Sequence, residues 1–330
     1  MFVVREATAD DRPELEALIA EMIPGCDVEA RWRWLYDTNP GGRAITWLAS
    51  APTGEVAGCT SCFPFRLWLD GVEVRAALGG DGYVRPGFRR RGLGARLHDA
   101  SRLAMPKHRI GCMYGAPGEM NVTALKHGGS RELGPVVRWA RPLRGSALHV
   151  PGPLGGLVTR GLRPRGRARL EPMTDLDDRI DELWVAARRE LRLAAIRDSA
   201  FYTWRFREAP AQRQPTYVIV DRGRPIGACA LELLNGGETQ RIVDLLAVRR
   251  EWHTCLAAIT RFCADTTDAE VIDIKLMGLD GRRRELWRSA FTEREVKPFL
   301  CMIPRGGDRR FIDPERWFFS GADSELDDHS

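Results

Sequence analysis

No uncharged apolar run in the 330-residue sequence approaches the ~18 residues a membrane-spanning helix needs, so that class is excluded. The opening stretch, MFVVREATADDRPELEALIAEM, meets acidic side chains almost at once. It lacks the basic start, apolar centre and small-residue cleavage site of a secretory signal, and a cytoplasmic protein is expected. Lysine is scarce: Lys107, Lys126, Lys275 and Lys297 are the only four, and all other basic charge is arginine. The net charge of +5 is small for this length, so no nucleic-acid partner is expected, while anionic small molecules remain suitable ligands. Metal-ligand spacing is also lacking. Eight cysteines are scattered, and the single Cys59-Thr-Ser-Cys62 pair has neither a second pair nor a nearby histidine to complete a zinc site. The pair lies in an extended run, where residues three apart point to opposite faces. Buried structural thiols and no metal are expected.

What is present is a soluble, globular composition, with 44% apolar and 29% charged residues and enough chain for two domains. Phe2-Val3-Val4 reads as a strand. Thr8 with Asp11 three positions on reads as a helix start, followed by an apolar face of Leu15, Leu18, Ile19 and Met22. A second helix is expected over 28–36, ended by Asn39-Pro40-Gly41-Gly42. Strands follow at 44–50, 56–69 and 72–84, the last two joined by the hairpin turn Asp70-Gly71. A helix over 92–105, a strand over 110–114, a helix over 119–127 and a strand over 135–140 complete residues 1–142. The order is β-α-α-β-β-β-α-β-α-β.

Residues 143–168 are rich in arginine, glycine and proline and read as a basic linker. The next stretch, 169–305, repeats the first half weakly. Trp34 and Pro40 recur as Trp204 and Pro210, each 170 residues later. The strand from Leu78 to Val84 is matched by Ile242 to Val248, and the Ile110 strand by Val271 to Leu276. This repetition points to a duplicated domain. Residues 306–330 form a tail that joins an aromatic anchor, Trp317-Phe318-Phe319, to an acidic end in which Asp323 and Glu325 are available to a cationic acceptor.

The segment Tyr83-Val-Arg-Pro-Gly-Phe-Arg-Arg-Arg-Gly-Leu-Gly-Ala-Arg-Leu97 carries the sharpest chemical signal. A strand ends at Val84, Pro86 stops it, and Arg89-x-x-Gly92-x-Gly94 opens a helix. The first amides of a helix have no internal partner and lie at the positive end of its dipole, which suits a pyrophosphate. Glycine at 92 and 94 lets phosphate oxygens approach the backbone of Gly92, Leu93, Gly94 and Ala95. Arg89, Arg90 and Arg91 add charge.

This segment resembles the acyl-CoA-binding motif of the GNAT superfamily of N-acyltransferases, whose pattern is Arg/Gln-x-x-Gly-x-Gly/Ala after a strand. The element order of 1–142 is similar to that fold, and Gly115 to Ala124 resembles the second motif of the family, with Asn121 in register. The resemblance implies an α/β (α+β) protein of two tandem GNAT-like domains, each a mixed, mostly antiparallel central sheet flanked by helices. The first domain would be catalytic. The second is expected to be degenerate, because Val248-Arg-Arg-Glu-Trp-His-Thr-Cys-Leu256 holds neither glycine. The strands ending at Val84 and Tyr114 are expected to splay around the pantetheine arm, with amides from Tyr83 to Arg85 polarising the thioester.

Asp81, flanked by Gly79, Gly80 and Gly82, reads either as a general base or as a bulge aspartate; Glu119 reads as a second base or as a helix-start acid. Tyr83 or Tyr114 can protonate the departing thiolate or pack as strand aromatics. The family often has a tyrosine where this chain has Gly128, and His127 is a substitute or a cap. Trp32 and Tyr36, four apart, either line an acceptor pocket or pack on the sheet. The function expected is transfer of an acyl group, acetyl from acetyl-CoA, to a primary amine of a small molecule or sugar. The alternatives are a longer acyl-CoA or aminoacyl-tRNA donor, or a non-catalytic CoA sensor.

Overall fold

The computed structural model describes residues 1–148, 163–210, 214–278 and 281–323, apart from the side chains of Glu119 and Met120. The described chain falls into two compact units. The first holds 1–134, 208–210 and 298–314, and the second holds 135–207, 214–297 and 315–323.

In the first unit, β1 (Val3–Glu6), β2 (Ile45–Ser50), β3 (Val56–Leu69), β4 (Val72–Val84) and β5 (Met113–Gly115) are neighbours in that order. All pair antiparallel except β4 with β5, which run parallel. The sixth position is filled by the end of β13 (Thr292–Met302), whose Leu300, Cys301 and Met302 pair with Gly115, Tyr114 and Met113. The expected closing strand, β6 (Arg131–Pro142), has only its first four residues in this unit.

Local chemistry explains the elements. Thr8 and Asp11 form a capping box, with the Thr8 amide on the Asp11 carboxylate at 2.7 Å, and α1 (Arg12–Met22) follows. Its Leu15, Leu18 and Ile19 are buried. Next, α2 (Val28–Arg31) runs into a π-turn over Trp32–Asp37. The β3–β4 hairpin turns on Asp70 and Gly71, both with positive φ (46° and 100°), which matches the twist of the strands it joins. Leu93 and Leu97 of α3 (Leu93–Ala104) pack into an apolar cluster with Trp47, Ala77 and Met113. Finally, α4 (Glu119–His127) ends at Gly128, where a Cβ would come within 2.5 Å of the His98 ring.

The second unit has the same plan. Its sheet runs β6, β12 (Val271–Met277), β11 (Thr239–Leu246), β10 (Arg224–Leu234), β9 (Thr216–Asp221) and β7 (Arg169–Pro172). Only β11 and β12 are parallel. A short strand, β8 (Leu193–Ala195), bridges to Trp317, and β14 (Phe319–Ser320) pairs with β12. The helices are α5 (Asp178–Ala187), α6 (Ser199–Tyr202) with a π-turn over Thr203–Arg207, α7 (Trp252–Thr266) and α8 (Arg282–Arg288). A short helix continued by a π-turn therefore occurs in both units at nearly the same offset as the sequence repeat.

Of the basic connector, 149–162 lie outside the described residues. Arg144 bonds Asp268 at 3.0 Å, and Arg163 pairs with Asp265. The tail is anchored by Trp317, Phe318 and Phe319, all buried. One glycine makes that docking possible. Gly278 has φ +72°, and a Cβ there would sit 1.4 Å from the Trp317 carbonyl oxygen. Gly278→Ala is expected to cost about 3 kcal/mol or more, because backbone must move. Gly306 has φ +73° but nothing within 4 Å, so Gly306→Ala is expected to cost only about 1 kcal/mol. Urea denaturation of the two variants checks the contrast.

Candidate active site

The pairing of β4 with β5 covers only Ala77–Met113 and Leu78–Tyr114. Beyond it β4 continues to Val84, while β5 ends at Gly115, and no described strand pairs with β4 on that side. The unpaired edge of β4 from Gly79 to Val84, beside the end of β5, is the candidate slot, at the place where the resemblance implies a splay. Arg85 donates its amide to Ala57 on the β3 side at 2.9 Å. Successive strand amides alternate in direction, so the Val84 N–H faces the slot. The Arg85 amide, expected among the polarising donors, is thus engaged elsewhere.

At the end of the slot the chain makes a 3₁₀ turn over Pro86–Phe88 and enters α3. Arg90 and Gly92 both take the left-handed conformation, with φ 62° and 72°. The first helical amide to bond backwards is Arg96, to Gly92 at 3.2 Å. From Arg90 to Ala95, no backbone N–H reaches a backbone carbonyl among the described residues. Six consecutive donors around a left-handed glycine form a concave anion nest. A Cβ on Gly92 or Gly94 would meet nothing within 4 Å, so the space before these amides is open.

Arg89, Arg90 and Arg91 are all exposed and pair with no carboxylate among the described residues. Arg89 donates to the Val84 carbonyl at 3.0 Å and lies 5.9 Å over the Tyr83 ring. Arg91 packs over Phe2 and Phe88. Open amides at a helix start beside guanidiniums that meet no described carboxylate present the positive charge that suits a pyrophosphate. Among the described residues no three His, Cys, Asp or Glu side chains are grouped to hold a metal.

Of the other expected residues, Tyr83 is half-buried at the slot, and Asn121 is exposed on α4. Tyr114 is buried, edge-on to Phe65 and beside Phe299, each 6.2 Å away. Glu119 opens α4, but its side chain is not described. His127 is exposed. Asp81 is buried, with its side chain only 4% exposed. Arg31 Nη2 donates to its Oδ1 at 2.7 Å, and the Tyr36 hydroxyl to its Oδ2 at 2.6 Å. Trp32 and Tyr36 pack on each other: their rings stack at 4.4 Å and 9°, both buried. Reading the sequence did not connect Arg31 or Tyr36 with Asp81. The partners are 50 and 45 residues apart, and no local pattern marks such a contact.

Asp323, expected to be available to a cationic acceptor, is buried against Arg197 at 2.6 Å; Glu325 lies outside the described residues. Cys59 and Cys62 are buried, and burial pushes both thiols up to about 12. In the second unit the corresponding helix start is closed. Trp252 is fully buried with its indole N–H on the Ala247 carbonyl, and the Arg249 amide is taken by the Glu190 carboxylate at 2.7 Å.

Solved structures share this architecture. A GCN5-related N-acetyltransferase from Anabaena variabilis superposes with a TM-score of 0.68 at 17% identity, over 92% of this chain and 73% of the other. The chain has the GNAT fold. A second GCN5-related N-acetyltransferase, from Kribbella flavida, gives 0.62 at 16% identity over 92% and 71%. The N-myristoyltransferase of Saccharomyces cerevisiae, solved with myristoyl-CoA, gives 0.57 at 14% identity over 91% and 82%. No family model and no curated protein matches the sequence. Within the GNAT fold, the slot of the first unit lies between the fourth and fifth strands, and the nest at the helix that connects them.

Proposed function

We propose that the chain is an acyl-CoA-dependent N-acyltransferase that moves an acyl group, acetyl from acetyl-CoA, to a primary amine of a small molecule or sugar. The observation that carries this reading is the nest of six amides at Arg90–Ala95, set beside the unpaired edge of β4 past β5. The amides of Arg90 to Ala95 and the guanidiniums of Arg89, Arg90 and Arg91 bind the pyrophosphate. Asn121, in register with the family's second motif, contacts the donor from α4. The Val84 N–H polarises the thioester carbonyl from the slot wall.

The acceptor attacks as the free amine, because an ammonium has no lone pair. Its nitrogen forms the new C–N bond, the C–S bond breaks, the thiolate takes a proton from a tyrosine, and the proton shed by the nitrogen returns through water to that phenolate. Tyr83 is the better donor of that proton, since it borders the slot while Tyr114 is buried among aromatics. The second unit is a degenerate copy that binds no donor, because Trp252 and Glu190 fill its helix start.

Titration of the full chain with acetyl-CoA by calorimetry tests the reading. Saturable binding at one site per chain, followed by turnover of amine acceptors, is expected. Two equivalent sites would refute the silent second unit, and no binding of any acyl-CoA would refute the donor.

A further inference from the structure

The position of Asp81 is unusual for a proton acceptor. From Ser61 to Cys59, β3 advances two residues, while the paired stretch of β4 advances three, from Gly80 to Tyr83. Asp81 and Gly82 thus face Thr60 together, which makes a β-bulge, and Asp81 takes φ 46°. The bulge falls between the last β4–β5 pair, at Leu78, and the slot-facing amide of Val84. It lies on the stretch of β4 past its last pair with β5, which pairs with no described strand on that side.

A polar cluster grips the bulge from one side. Arg31 and Tyr36 hold the two carboxylate oxygens of Asp81. The Tyr36 hydroxyl also meets Ser61 Oγ at 3.2 Å, and Ser61 meets Thr46 at 2.9 Å. From β3, the Cys59 thiol donates to the Asp81 carbonyl at 3.4 Å. Burial, with Asp81 adjoining, holds the Tyr36 hydroxyl well above its ordinary range, so it stays a donor at any working pH. A carboxylate already paired with a guanidinium and a phenol is a poor base.

The second unit repeats the device without the nest. Its fourth strand, β11, carries an extra residue between Ile242 and Asp244, which face Leu231 and Ala230. Arg197 Nε reaches both oxygens of Asp244 at 3.1 Å, and the Tyr202 hydroxyl donates to Oδ2 at 2.8 Å. Arginine and tyrosine are five residues apart in both units. A clamp found also where the helix start is closed belongs to the strand, not to proton transfer.

We infer that Arg31 and Tyr36 are positioning residues that act through Asp81. They hold the β4 bulge in the form that opens the donor slot, and Asp81 is not the general base. This inference rests on the acyl-transfer reading for its consequence, but its structural half can be tested separately.

Tyr36→Phe removes one donor and leaves the Arg31–Asp81 pair, so it should fold. Hydrogen exchange of the free protein is expected to rise over residues 79–85 and stay unchanged in the second unit. If loosening leaves a tenth of the molecules with the bulge formed, apparent acetyl-CoA affinity falls about tenfold. KM for the donor rises accordingly while kcat at saturation changes little. The pH profile of kcat/KM keeps its acidic limb in both Tyr36→Phe and Asp81→Asn; asparagine tolerates the left-handed backbone. Unchanged exchange over 79–85 in Tyr36→Phe would overturn the clamp, whatever the protein binds. Loss of the acidic limb in Asp81→Asn alone would restore Asp81 as the base. Raised exchange in a protein that binds no acyl-CoA would uphold the clamp and refute the donor reading instead.

Discussion

Gly94→Trp is expected to remove saturable acetyl-CoA binding without unfolding the protein. Gly94 lies in the first turn of α3, outside the positive-φ set, and a Cβ there has nothing within 4 Å. The indole would project into the space before the amides of Arg90 to Ala95 and exclude phosphate oxygens. A hydrogen bond to a charged group is worth about 1.5–3 kcal/mol, so losing two costs roughly 3–6 kcal/mol. That corresponds to a loss of affinity of roughly 10²–10⁴-fold. Gly92→Trp is expected to do the same with an added backbone cost of about 1–2 kcal/mol, because Gly92 has φ +72°. Calorimetry of both variants beside the unaltered protein measures this. Retained affinity in Gly94→Trp would place the donor away from the nest and refute the site.

How much of this was legible depended on how local the cause was. The capping box at Thr8 and Asp11, the Asp70-Gly71 hairpin and the end of α4 at Gly128 each follow from a few adjacent residues, and each stands in the structure. The nest was legible for the same reason: proline, arginines and two glycines act through the backbone beside them. Other features have distant causes. The strand expected from Ile110 begins only at Met113, because β5 pairs with β4 at just two positions. Gly111, within the expected strand, instead packs against Phe311, whose ring a Cβ would strike at 2.7 Å. The helix expected over 28–36 is only half α, since it widens into a π-turn at Trp32 that lets Trp32 and Tyr36 stack. The sixth strand position of the first unit is filled by Leu300 to Met302, nearly 200 residues beyond β5, and strand patterning carries no information about such a partner.

The same distinction applies to two aspartates: Asp81, read as a general base or as a bulge aspartate, and Asp323, read as available to a cationic acceptor. Asp81 was noticed for its glycine neighbours, of which Gly80 lies against Phe63, whose ring a Cβ would strike at 2.7 Å, and Asp323 for its place in an acidic tail. Both are buried against an arginine. A carboxylate in a dry site needs a cation or several donors, and each found an arginine far along the chain. A buried acid beside glycine is therefore ambiguous until its cation is located.

Arg197→Met is expected to cause the largest loss of stability of any single change considered. The guanidinium is fully buried and serves two carboxylates, Asp244 and Asp323 at 2.6 Å, while also donating to Ser320 Oγ at 3.0 Å. Removing it leaves two uncompensated buried acids. Breaking a buried pair costs about 3–5 kcal/mol, and here two pairs lose their shared cation. Guanidinium chloride denaturation should show that loss, and adding Asp323→Asn should recover part of it, because only one buried charge then remains. The pH dependence fixes the sign. Burial outweighs Arg197 and already holds the Asp323 carboxyl above its ordinary range. Without Arg197 the Asp323 carboxyl would bind a proton still more readily in the folded state than in the unfolded one. Stability of the variant should then rise as pH falls from 7 toward 5, and the deficit against the unaltered protein should narrow. A loss under about 1 kcal/mol, or a deficit flat across that range, would show that Tyr202 and Ser320 satisfy these carboxylates without the arginine.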